Sequence, residues 1–296
     1  MAKMLLFSGT ANPALAAKVA AAMGTTLSAA IISQFSDSES KVSILEDVLN
    51  QNVFIIQPTC NPVNHHIIEL CLLAEALSAA GARSIIAIVP YFGYARVPSR
   101  AKAISNIFAA SGINRVLTLD LHCESISGLC KIPIANLSTV SIFSNYVAAN
   151  PINNPVIVAP DLGGITRAQA FAAANNTDLA IIEKNRNDDC RTIKIHGCVT
   201  NRNCIIIDDI IDTGKTIYRA AQTLKEHGAQ TIYAFCAHAV LSSGAMALIE
   251  QSACDKIVTT DSIELQLHDK LRMQQKLYQV TIAELLAHMV IEHKYT

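Results

Sequence analysis

A chain of 296 residues, half of them hydrophobic (51%), is long enough to bury two ordinary cores, and its net charge of −1 offers no long-range field for nucleic acid or an anionic membrane. The absence of Trp and the 5% share of aromatic residues argue against base-stacking platforms. Nine cysteines, odd in number and without a C-x-x-C pair, read as free thiols of a reducing cytosol rather than as a disulfide framework. The Ala-rich start is interrupted by Gly9, Asn12 and Pro13, unlike the apolar core of a signal peptide. No stretch approaches the roughly eighteen clean apolar residues of a membrane span.

Apolar, β-branched runs predict strands at residues 4–7, 53–57, 84–89, 115–119, 156–158, 179–182, 204–207, 231–237 and 256–259. Helical periodicity falls between them, at 13–23, 63–80, 101–111, 165–174, 215–227, 245–251 and 282–293. This alternation is the rhythm of mostly parallel sheets flanked by helices on both faces, an α/β protein. The segment Asn150 to Pro155, rich in Asn and Pro, reads as a linker between two domains, 1–149 and 150–296. Each half has a strand that ends in acids, Asp120-Leu121-His122 in the first and Asp208-Asp209 in the second. Ligands of open α/β sheets bind at such carboxyl ends, and the site is expected between the halves.

The most informative stretch is Ile205-Ile206-Ile207-Asp208-Asp209-Ile210-Ile211-Asp212-Thr213-Gly214-Lys215-Thr216. A buried strand runs into two carboxylates, a short Thr/Gly/Thr turn and a helix. Backbone N–H groups of such a turn, with the positive helix end behind them, suit a phosphate monoester. Asp208 and Asp209 can accept hydrogen bonds from vicinal sugar hydroxyls. A Walker A loop would need glycine where Asp209 stands. An ordinary strand-to-helix turn with surface acids remains the competing reading.

This loop resembles the phosphoribosyl-pyrophosphate loop of the phosphoribosyltransferase superfamily. Phe35-Ser36-Asp37-Ser38-Glu39, Tyr91-Phe92-Gly93-Tyr94-Ala95-Arg96, Leu119-Asp120-Leu121-His122, Pro160-Asp161-Leu162-Gly163-Gly164 and Lys184-Asn185-Arg186 extend the likeness over nearly the whole chain, as does residues 53–60 followed by Pro62-Val63-Asn64. Taken in order, they resemble the ribose-phosphate pyrophosphokinases. The resemblance implies two phosphoribosyltransferase-like domains, assembled as homo-oligomers in which dimers build hexamers. It also implies transfer of the pyrophosphoryl group of Mg-ATP to the 1-hydroxyl of ribose 5-phosphate, with AMP released. By the same resemblance, Lys184 and Arg186 are catalytic, and His122 and Asp161 contact Mg²⁺. Phe35, Asp37, Ser38, Glu39 and Arg96 would meet ATP. Arg186, Asp208, Asp209, Asp212, Thr213, Gly214, Lys215 and Thr216 would hold ribose 5-phosphate. A cytoplasmic enzyme of nucleotide biosynthesis, with no nucleic-acid or membrane partner, follows as the expectation.

Residue chemistry accords with those roles. Mg²⁺ takes few protein ligands, and an Asp opening a helix, as Asp161 does, is equally a helix cap. Cations on an extended polar stretch, such as Lys184 and Arg186 two apart, can face the same way and meet charge developing on a transferred phosphoryl group. Against the family pattern, only Val97-Pro98-Ser99-Arg100 separate Arg96 from Ala101-Lys102, where the family carries a Gln and a longer basic loop. Leu49 stands where better-known bacterial members have an Arg linked to phosphate and ADP regulation. His65 and His66 replace a polar pair and read as surface histidines. An altered, non-catalytic relative and a nucleobase phosphoribosyltransferase are the alternatives to an active synthetase.

Overall fold

The computed structural model describes residues 4–184, 193–266 and 276–293. The chain divides into two compact units. The first comprises residues 1–137 with 262–264 and 281–296, and the second residues 138–261 with 265–280. The Asn150–Pro155 segment, expected as the linker, therefore lies inside the second unit, and the last helix belongs to the first.

In the first unit, β1 (Leu5–Ser8), β4 (Asn52–Ile56), β5 (Ser84–Val89), β6 (Arg115–Leu119) and β7 (Ile134–Leu137) form a parallel five-stranded sheet in that order. Helices α1 (Pro13–Ala22), α2 (Val63–Ala79), α3 (Pro98–Ala110) and α8 (Ala283–Glu292) belong to this unit, with α8 against α1. A separate antiparallel hairpin, β2 (Ala30–Gln34) and β3 (Ser40–Ile44), lies along α2. The core is built from strand residues such as Phe7, Val53 and Val116 against Leu70, Leu73 and Phe108 of the helices.

The second unit holds seven strands in the order β10-β9-β8-β11-β12-β13-β14. Their ranges are β8 (Pro155–Ala159), β9 (Asp178–Lys184), β10 (Ile193–His196), β11 (Asn203–Ile211), β12 (Thr231–Ala239), β13 (Lys256–Thr260) and β14 (Leu277–Val280). Only β10 runs antiparallel to its neighbour. Strand alternation sends Val156, Val158, Cys204 and Ile206 to one face, under α6 (Lys215–Glu226) and α7 (Ala245–Gln251). Ile157, Ala159, Ile205 and Ile207 go to the other face, under α4 (Val140–Ala149) and α5 (Ile165–Asn175). There Phe143 of α4 packs on Phe235, with ring centroids 5.4 Å apart, which ties α4 to this unit. From β8 the chain moves one way to β9 and the other way to β11. That reversal is a topological switch point, and it places a crevice at the carboxyl ends of β8 and β11.

Candidate active site

The acidic pair does not follow β11, as expected, but lies within it. β8 accompanies β11 only as far as Ile206, whereas β12 stays with it to Ile211. Asp208 and Asp209 thus stand past the end of one neighbouring strand, on the switch-point side. Ile206 and Ile211, five residues apart, share one face of the sheet, so strict alternation breaks between them; Cys236 and Ala239 of β12 show the same slip. At this break a single helix cation reaches both carboxylates. Arg167 Nη1 stands 3.5 Å from Asp209 Oδ1 and 3.8 Å from Asp208 Oδ1.

Asp208 Oδ1 also accepts from the Asp209 N–H at 3.0 Å. Burial first, and then the neighbouring Asp209 carboxylate, push the Asp208 carboxyl up to about 8, while Arg167 opposes the shift. Two like charges about 4 Å apart repel by roughly 4 kcal/mol at a near-surface dielectric of about 20, which is why such a pair retains a proton or a cation. Cys236, fully buried beside the pair, is driven well above the ordinary thiol range by its burial. It is a packing residue and not a nucleophile.

Beyond the acids, the turn is braced from behind. Ser242 donates its hydroxyl to Asp212 Oδ1, and the Ser242 N–H bonds the Asp212 carbonyl at 3.0 Å. Gly214 adopts φ +76°, and a Cβ there would lie 3.2 Å from the Ala245 carbonyl oxygen. Glycine therefore serves twice, for its left-handed backbone and for the close approach of α7. It caps α6 with no side chain, so the first N–H groups of the helix, around Lys215 and Thr216, have no intrahelical acceptors. Thr213 and Lys215 are exposed and Thr216 is half-buried.

At the end of β8, Asp161 caps the short 3-10 turn Leu162–Gly164, its Oδ1 accepting from the Gly164 N–H at 3.2 Å. The capping reading of Asp161 holds. A hard carboxylate oxygen at this strand end also fits a divalent cation held chiefly by substrate oxygens and water. Among the described residues no cluster of three or more His, Cys, Asp or Glu is arranged to hold a metal unaided. Lys184 closes β9, and only its backbone placement is described; Arg186 lies outside the described residues. Next to Lys184, Glu183 Oε2 meets His196 Nε2 of β10 at 2.6 Å.

In the first unit the expected residues also sit at strand ends and turns. Asp120, left-handed at φ 39°, donates its N–H to the Leu137 carbonyl at 2.7 Å, and the Leu121 N–H meets Asn136 Oδ1 at 2.9 Å. Leu121 is buried and His122 is exposed. Phe35, Asp37, Ser38 and Glu39 form the tip of the β2–β3 hairpin. Phe35 bonds Glu39 through the backbone, Ser38 has φ 74°, and the Glu39 N–H bonds Asp37 Oδ1 at 3.1 Å. The Phe35 ring is 52% exposed, with Lys41 Nζ 5.6 Å from its centroid.

Arg96 is exposed after the buried Tyr91-Phe92 pair. The short segment beyond it is not a loop: Val97 caps α3 and Pro98 opens it, so Arg100 sits in a helix's first turn. Of the two histidines read as surface groups, one is buried and the other only partly exposed. His66 is buried, with Nδ1 2.9 Å from the Cys60 carbonyl, and His65 Nε2 is 3.5 Å from Glu69 Oε2. Buried Glu69 is satisfied by Thr10, through its N–H at 2.7 Å and hydroxyl at 2.6 Å, and by Gln57 Nε2 at 2.6 Å. Sequence reasoning missed Arg167, whose signal was a cation on an otherwise Ala-rich helix beginning just after Gly163-Gly164.

The switch-point crevice, the acids facing Arg167 and the glycine-hinged turn above a helix N-terminus define a phosphoribosyltransferase-like α/β protein. Residues 4–118 match the N-terminal domain of ribose phosphate pyrophosphokinase, and residues 186–294 match the phosphoribosyl synthetase-associated domain. The ribose-phosphate pyrophosphokinase of Neisseria meningitidis is 41% identical, covering 97% of this chain and 90% of its own. That of Ralstonia nicotianae is 42% identical, covering 96% and 93%. The crystal structure of phosphoribosylpyrophosphate synthetase from Mycobacterium smegmatis superposes with a TM-score of 0.91 at 28% identity, over 98% of each chain. The chain belongs to the ribose-phosphate pyrophosphokinase family, enzymes that are transferases of nucleotide biosynthesis. Its two units are accordingly phosphoribosyltransferase-like domains. No helix among the described residues is long and apolar enough to cross a membrane.

Proposed function

We propose that the chain transfers the β,γ-pyrophosphoryl group of Mg-ATP to the 1-hydroxyl of ribose 5-phosphate, releasing AMP and phosphoribosyl pyrophosphate. The observation that carries this reading is the β11–α6 element, which offers two sugar-hydroxyl acceptors and a phosphate cradle on one short stretch. The N–H groups of the α6 first turn, with Thr213, Lys215 and Thr216, hold the 5-phosphate. Asp208 and Asp209 accept from the ribose hydroxyls, and Asp212, tied back to Ser242, keeps the turn in place.

ATP enters through the other unit. The exposed Phe35 ring stacks on adenine, Asp37, Ser38 and Glu39 hold the hairpin tip around it, and Arg96 meets phosphate. Magnesium is the cofactor, with His122 and Asp161 as the residues that would hold it; when bound it neutralises polyphosphate oxygens. Lys184 and Arg186 stabilise the charge that accumulates during transfer. The enzyme is cytoplasmic, consistent with eight free cysteines among the described residues, and works as a homo-oligomer built from dimers.

A second reading has one observation in its favour. α3 begins at Pro98, directly after Arg96 and Val97, which leaves little chain to close over a nucleotide. It would make the protein a nucleotide-binding relative without activity. One assay separates the readings: ATP, Mg²⁺ and ribose 5-phosphate are incubated with the protein and AMP is measured. Phosphoribosyl pyrophosphate is then offered with nucleobases and pyrophosphate is measured. AMP formed only with ribose 5-phosphate supports the synthetase; its absence supports the inactive relative, and pyrophosphate release in the second assay a nucleobase transferase.

A further inference from the structure

Arg167 stands beside the two acids that the ribose 5-phosphate reading, on which this inference rests, assigns to the sugar hydroxyls. Its side chain is 20% exposed, on the third residue of α5, between the Asp161 cap and the buried Ala168 and Phe171 that seat the helix on the sheet. Its Nη1 stands within 4 Å of one oxygen from each carboxylate. A tight Arg–carboxylate pair elsewhere in this unit, Arg202 Nη1 to Asp178 Oδ2, measures 2.5 Å. The contacts of Arg167, at 3.5 and 3.8 Å, are about an ångström longer. At such lengths a guanidinium supplies charge to both acids without engaging either as a bidentate partner would.

We propose that Arg167 is a positioning residue for the sugar: it holds Asp208 and Asp209 side by side so that both accept from the vicinal hydroxyls of ribose 5-phosphate. Neighbouring acids on one strand otherwise splay apart or share a proton, and a protonated acid is a poorer acceptor. The groups facing Asp208 are Asp209 on its own strand, Arg167 from α5 and the Cys236 thiol from β12. Of these Arg167 alone is a cation, and it opposes the upward shift that burial and Asp209 impose. Its removal therefore costs sugar binding most at the acidic end of the working range.

The test compares wild type, Arg167→Gln and Arg167→Lys, each first checked for a cooperative thermal transition. Ribose 5-phosphate alone is titrated calorimetrically from about pH 6.5 to about pH 9, and KM values for both substrates are measured. Arg167→Gln is expected to weaken ribose 5-phosphate binding and raise its KM by about tenfold or more, with the ATP KM within about twofold. The loss should shrink as pH rises, and Arg167→Lys should recover most of it. A folded Arg167→Gln variant that binds the sugar as wild type does, or loses both substrates equally, overturns the proposal. A wild-type protein that binds no ribose 5-phosphate overturns both this inference and the function it rests on. Binding by wild type with an indifferent variant sinks the inference alone.

Discussion

The five-stranded and seven-stranded sheets of this chain place their candidate residues differently. In the first, strand order follows the chain without reversal, β1-β4-β5-β6-β7, and no two neighbouring strands diverge to open a crevice. Its candidate residues are carried on an exposed hairpin tip and on turns after single strands, Phe35 to Glu39, Arg96 and His122. In the second, the order reverses at β8 and β11; Asp161 follows β8, Asp208 and Asp209 lie in the last part of β11 ahead of the Gly214 turn, and Arg167 reaches both acids. The same layer architecture thus yields a built cradle where the topology switches and an adaptable surface where it does not. On the proposed function, a small sugar phosphate goes to the former and a large nucleotide to the latter.

If chemistry belongs to the second sheet, the largest effect should come from the end of β9. Lys184→Ala is expected to lower kcat by on the order of a hundredfold, with a smaller change in the ATP KM, as for a group that acts on transition-state charge. Turnover within about threefold of wild type would place the chemistry elsewhere.

Asp208→Asn probes the cradle itself. Ribose 5-phosphate affinity should fall by roughly tenfold while Mg-ATP binding is nearly kept; equal loss of both ligands would erase the division of labour between the sheets. Its stability signature is separate. The folded protein holds the Asp208 proton up to about 8, above the ordinary carboxylate range in which the unfolded chain releases it. Wild-type stability contributed by this group is therefore present at low pH and is lost as pH rises through that window. Asp208→Asn removes the dependence, so the variant's Tm should gain on wild type between about pH 5 and about pH 9. A constant difference across that range would mean that Asp208 is ionised throughout.

Phe35→Ala tests the adaptable surface. An exposed ring that stacks on a base contributes about 1–3 kcal/mol, so the ATP KM should rise several-fold with kcat and the ribose 5-phosphate KM little changed. An unchanged ATP KM would assign the hairpin tip to another contact.

What the sequence disclosed, and what it hid, follows the same division. β11 was legible because Ile205, Ile206 and Ile207 cannot be placed anywhere but a sheet buried on both faces. The hairpin β2–β3 was not: Ala30–Gln34 and Ser40–Ile44 mix polar and apolar residues, none of them fully buried, and no Asn-Gly or Asp-Gly turn joins them. α4 escaped notice because only Phe143 in it is fully buried, and its assignment to the second unit depends on Phe235, far away in sequence. That long-range pairing also explains why the Asn150–Pro155 stretch, a plausible linker by composition, is an internal connection. The acids and the Gly214 turn were readable as residue types. Arg167 was not, since a charged residue on a helix reads as solvent-facing until the strand beside it is known to carry its counter-ions.

The smallest expected effect concerns regulation on the first unit. Inhibition by ADP at a separate site needs cationic side chains arranged for its phosphates, and obligatory activation by inorganic phosphate needs the same kind of pocket. Leu49 is 59% exposed beside Gly81 and offers neither charge nor donor. After Arg96 the chain passes directly through Val97 into α3, and Arg100 occupies that helix's first turn rather than a basic loop. ADP should therefore inhibit only by competing for the adaptable surface that is proposed to take ATP, and phosphate should not be required for activity. Rates measured against ATP at several ADP concentrations should converge on one maximal rate. A maximal rate that falls with ADP, together with a strict phosphate requirement, would show a second cationic pocket on the unit whose sheet has no switch point, and the contrast between a built site and an adaptable one would fail.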